Sequence, residues 1–147
     1  MKPIYISGET LQGESYKLFI SCLFERSNIF SYEVLKDFDI LHDMEDKKYL
    51  DNILKSEKIF NNFYKKKNVD ERNKLKSFVY LNNQAVKKYL KSADSIYHWN
   101  YPNDIENLCF YKNDVCVFES VTHEDYFVYS ENKTEIESLK EFGLKLI

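Results

Sequence analysis

From Glu14 onward, apolar side chains return at steps of three and four residues. Tyr16, Phe19, Ile20, Leu23, Phe24 and Phe30 fall on one stripe, which predicts a helix from Glu14 to about Val34. The same spacing recurs between Asp46 and Tyr64 in Leu50, Ile53, Leu54, Phe60, Phe63 and Tyr64, interrupted by a polar turn at Lys55–Lys58. It appears a third time in Leu75, Phe78, Val79, Val86, Tyr89 and Leu90, where Asp70 is placed to cap a helix running to about Ala93. Ahead of these, Lys2–Ile6 alternates like a short edge strand, and Ser7 or Thr10 is suited to cap a helix after it.

After Ala93 the period changes. Leu108–Tyr111 (LCFY) is an apolar run of strand length, Lys112-Asn113-Asp114 is a turn, and Val115–Val121 returns as a second strand. Thr122-His123-Glu124-Asp125 makes another turn before Tyr126–Tyr129, so residues 106–130 read as an antiparallel meander. Asn132 with Glu135 forms a capping box for a helix over about 132–142, striped by Ile136, Leu139 and Phe142, and Gly143 stands where a C-terminal cap is expected. The whole is expected to be one α+β domain over residues 1–147. Its helical part spans about 14–93, and three or four helices pack on a small antiparallel sheet of three or more strands, with the last helix closing one side.

Composition adds that the chain has an ample core. Hydrophobic residues make up 44%, with 12 Tyr and 11 Phe against only three Gly and two Pro, which excludes intrinsic disorder. The net charge of −3 is unevenly distributed: residues 1–100 carry 17 basic and 14 acidic side chains, residues 101–147 only 4 and 10. An acidic C-terminal third is the wrong sign for a face that meets nucleic acid. Cys22, Cys109 and Cys116 lie in apolar runs without C-x-x-C spacing, so reduced, free thiols are expected. No signal peptide or membrane span is legible, and a soluble, cytoplasmic protein is the expectation.

Candidate chemistry is sparse. Tyr97–Tyr129 holds the only Trp, one Pro, two of three Cys and two of three His. His123-Glu124 invites an acid–base reading, but adjacent residues at a strand end point to opposite sides, so a turn or interface role is preferred. His42 sits among Asp37, Asp39, Asp43, Glu45 and Asp46 without the glycine and terminal glutamate of a calcium loop, and reads as a solvated connector. Tyr97, His98, Trp99 and Tyr101 read as packing where helices meet sheet. P-loop, dinucleotide, nucleophile-elbow and zincin motifs are missing from the sequence. A non-enzyme is therefore expected, with no catalytic residue, no metal and no cofactor.

The segments FISCLFERSNIF (19–30) and FVYLNNQAVKKYLKSADSIYHW (78–99), then Pro102 before LCFY and the later His123-Glu124, resemble a family of small uncharacterised proteins from Bacillus relatives, some labelled as sporulation proteins. That resemblance implies a shared fold and carries no activity. From the residues themselves, the expected function is that of an immunity protein neutralising a cognate, basic protein toxin, possibly a nuclease. A structural or adaptor protein of stress or development, or a small enzyme with an unfamiliar site, are the alternatives. Under the first reading Asp104, Glu106, Asp114, Glu119, Glu124, Asp125 and Glu131 steer the partner. Tyr111, Tyr126 and Tyr129 are its aromatic anchors, with His123 in the adjoining turn. The basic face of the third helix, with Lys74, Lys76, Lys87, Lys88 and Lys91, is the next surface in line.

Overall fold

The computed structural model describes residues 2–35, 43–56, 75–131 and 136–147. In chain order these form β1 (Lys2–Tyr5), α1 (Gly13–Arg26), β2 (Ile29–Leu35), α2 (Glu45–Ser56), β3 (Leu75–Leu81), α3 (Gln84–Lys91), β4 (Glu106–Lys112), β5 (Val115–Val121), β6 (Tyr126–Glu131) and α4 (Ile136–Glu141). Single turns of 3-10 helix at Gly8–Thr10, Ile96–His98 and Thr122–Glu124 join them. The strands make one six-stranded antiparallel sheet in the order β1-β6-β5-β4-β2-β3, so the architecture is α+β with a wide sheet. No described helix is long and apolar enough to cross a membrane.

Two of the expected helices are shorter than their apolar spacing implies. The first ends at Arg26, Ser27 is extended, and Ile29–Leu35 is a strand in which Phe30, Tyr32 and Val34 point inward. The third is replaced over Leu75–Leu81 by a strand, and α3 starts only at Gln84, where the Asn83 side chain accepts from the Ala85 N–H at 2.6 Å. In both segments aromatic and β-branched residues alternate, and pairing with a neighbouring strand decides the outcome. Asp70, Phe60, Phe63, Tyr64, the lysines at 65–67, and the Asn132–Glu135 box lie outside the described residues.

A single row of side chains crosses the whole sheet and organises the core. Register aligns Ile4, Tyr129, Phe118, Phe110, Phe30 and Tyr80 side by side, one from each strand. Helix α1 lies on that row: Phe19 meets Phe118 edge-on at 5.1 Å and Tyr129 at 5.9 Å, and Phe24 meets Phe110 at 5.4 Å. Each such ring, fully buried, contributes about 1.5–3 kcal/mol of transfer free energy. Helix α2 covers the β2–β3 end of the same face, with the Lys47 ammonium 4.4 Å above the Phe78 ring and Tyr80 donating to Asp51 at 3.1 Å. Helix α3 packs on both neighbours, Tyr89 stacking on Tyr49 at 4.2 Å and Leu90 reaching α1 through Tyr16.

The β1 edge is closed by the end of the chain. Leu146 bridges Ile6, Ser7 N–H donates to Lys145 O, and Ile147 N–H donates to Tyr5 O, the last two at 2.8 Å. Helix α4 delivers this segment through Gly143, whose φ of +87° is the left-handed turn that the C-terminal cap requires. A Cβ at Gly143 would stand 2.7 Å from the Ser15 hydroxyl of α1, so glycine also permits the close approach.

Candidate interaction surface

The meander fixes which acidic side chains reach solvent. Alternation along β6 turns Phe127 and Tyr129 to the helices, and Tyr129 is fully buried against Phe19 and beside Phe118. Tyr129 is therefore a core residue and not a surface anchor. Asp104 and Glu106 are buried as well, and cannot steer a partner from there. The Asp104 carboxylate accepts from the backbone N–H groups of Asp46 at 3.1 Å and Lys47 at 2.8 Å, capping α2 from across the chain. Burial outweighs these two hydrogen bonds and pushes its pKa above the usual carboxylate range. Glu106 accepts from the Tyr101 N–H at 3.0 Å.

The other sequence-selected residues are more open. Asp114, Glu119, His123, Glu124, Asp125 and Tyr126 are exposed, Tyr111 is half-buried, and the Glu131 side chain lies outside the described residues. At the end of the sheet where β5 turns into β6, the chain brings several of them together. Asp125 takes a left-handed conformation, φ +53°, that closes the turn. Its carboxylate accepts from the Tyr97 hydroxyl at 2.6 Å. Partial burial, that hydrogen bond, and the charges of Asp125 and Glu9 raise the Tyr97 pKa to about 12. His123 Nε2 lies 3.7 Å from Glu124 Oε1, so the two side chains do meet, but both are open to water, where such a pair is weak.

On the adjoining sheet face, Tyr126 sits edge-on to Tyr5 at 6.1 Å. Glu119 stands close by: after burial, its charge is the next cause that raises the Tyr126 pKa. Three exposed tyrosines, Tyr5, Tyr97 and Tyr126, are thus interleaved with Glu9, Glu119, Glu124 and Asp125 around one end of the sheet. Nothing in the sequence singles out Tyr5, Tyr97 and Glu9 for this surface. Tyr5 faces outward because its strand partner is Val128 rather than Tyr129, and only the register reveals that.

A second polar cluster joins α2 to the loop before β4. The Asp46 carboxylate accepts from the Tyr89 hydroxyl and lies 3.5 Å from His98 Nε2, while the His98 ring stands edge-on to Trp99 at 4.5 Å. Trp99 is buried and donates from Nε1 to the Tyr16 hydroxyl at 2.7 Å. Among the described residues no group of three or more His, Cys, Asp or Glu is arranged to hold a metal ion. Cys22 and Cys109 are buried and Cys116 is half-buried, and none of the three is in a disulfide. The hairpin register places Glu119 opposite Cys109 and Tyr111 opposite Cys116, so the two strand cysteines do not face each other. Comparisons with protein-family models, with curated proteins and with solved structures returned no match.

Proposed function

We propose that this protein works by protein recognition, as an immunity-type inhibitor that binds a cognate bacterial toxin bearing a basic surface. The observation that carries the reading is the β5–β6 end of the sheet, where exposed tyrosines alternate with carboxylates. Tyrosine supplies broad contact area at small entropic cost, and surrounding carboxylates accelerate encounter with a positive partner. The buried carboxylates already serve the fold, Asp104 as a cap on α2 and Glu106 on the Tyr101 backbone. A cytoplasmic location and kinship with the small Bacillus-type proteins belong to the same proposal.

The test uses the toxin-like product of a neighbouring gene and association kinetics across a salt series. Glu119→Lys combined with Glu124→Lys is the informative variant, because both side chains are exposed. Asp125 is left intact, since its replacement would break the Tyr97 hydrogen bond and strain a left-handed position. The expected outcome is an association rate slowed by about tenfold or more at low ionic strength, converging on wild type as salt screens the charges, with thermal stability nearly unchanged. An unaltered rate at every salt concentration would remove this surface from the recognition site.

A further inference from the structure

Away from the acidic end of the sheet, the outward side of α3 carries charge of the opposite sign. Its sequence, QAVKKYLK, contains three lysines and no acidic residue in a chain that is acidic overall. Gln84, Lys87, Lys88, Lys91 and Ser92 follow one another at helical steps and line an open groove of about 420 Å³. That volume is of the order that small-molecule sites occupy. Lys91 is held in place by donating to Ser21 Oγ of α1 at 2.7 Å, and among the described residues Lys87 and Lys88 have no carboxylate partner. Lys87, Lys88 and Lys91 thus leave the helix within about 6 Å along its axis.

Lys88 and Lys91 lie in the last turn of α3, whose carbonyl end carries roughly half a negative charge. That partial charge offsets only a fraction of three full positive ones. The groove therefore remains a cationic site, with aliphatic lysine stems as its walls and the exposed Gln84 amide at one end. A single carboxylate would leave most of this charge unmatched, whereas linked phosphates concentrate several negative charges in the span the lysines cover. We propose that the α3 groove binds a small polyphosphate, a molecule carrying two or more linked phosphate groups such as a nucleoside diphosphate or triphosphate.

Calorimetric titration of the full chain with sodium pyrophosphate and, separately, with ATP tests this at low and at near-physiological salt. Saturable one-to-one binding of both is expected, weakening as salt is raised. Lys87→Gln combined with Lys88→Gln should weaken both by at least about tenfold while leaving the circular dichroism spectrum and unfolding transition in place, because neither lysine contributes a described fold contact. Absence of a saturable signal with either compound, or equal binding by the double variant, overturns the proposal. Binding of ATP without pyrophosphate overturns it too, since the base and not the charge would then be recognised. A single-stranded oligonucleotide that binds while both small compounds fail would assign the lysines to a nucleic-acid backbone instead.

Discussion

Tyr16 shows how much one hydroxyl can hold. It donates to Leu90 O at 2.5 Å and accepts from Trp99 Nε1 at 2.7 Å, with both rings buried. Leu90 lies in the last turn of α3, where carbonyls lack an intrahelical partner, so the hydroxyl completes a helix end from the neighbouring helix. Burial pushes the Tyr16 pKa far above the ordinary phenol range, and the hydroxyl stays protonated and able to donate. Replacement Tyr16→Phe keeps the ring but leaves a buried carbonyl and an indole N–H unpaired. The expected loss is about 1–3 kcal/mol in urea unfolding, with a change in Trp99 fluorescence reporting the local cause. That Trp99 packs is legible in the sequence, since an indole beside aromatic neighbours fits a helix–sheet junction, but its partner 83 residues away is invisible to local pattern.

The elements were legible where one period stands alone. The β4–β5–β6 meander and its turns follow their alternation and turn chemistry, and the left-handed Asn113 and Asp125 sit in those turns. Ile29–Leu35 and Leu75–Leu81 misled because a step of four residues belongs to both periods: Phe30 to Val34 and Leu75 to Val79 satisfy helix and strand alike. The start of α2 was legible to within one residue, but its cap was beyond local reading, because it comes from Asp104, more than fifty positions later. Asp104 has a raised pKa in the folded chain, so the native state holds the proton more tightly than the unfolded chain does. Its contribution is fully present below the ordinary aspartate pKa and is lost as pH rises through the folded value. Asp104→Asn abolishes this titration, so the wild type should lose stability relative to the variant as pH is raised from about 4 to 7. Urea unfolding of both proteins over that interval is the measurement. A difference that stays constant would mean that the backbone hydrogen bonds balance burial, and one that moves the other way that they outweigh it.

At the scale of the molecule, the sequence located the acidic third but not its inside and outside. Charge counts cannot distinguish Asp104, buried beneath a helix end, from Glu124, open to water; sheet register and tertiary capping make that distinction. The same holds for Tyr129 and Tyr126, three residues apart on β6 and on opposite faces. The outcome is a protein whose acidic tyrosine surface and lysine groove are carried by different elements of one core. The topology also sets an order in time. Strand β1 leaves the ribosome before the other described strands, yet its sheet neighbour is β6, with Lys2 opposite Glu131. At about 5–20 residues per second, roughly 6–25 s of synthesis separate the two strands, and β1 has no native ladder until they end. Stalled chains that stop before β6 should therefore leave residues 2–5 open to protease, and chains extended past β6 should protect them. The amino-terminal strand is, in this sense, among the last parts of the sheet to be built.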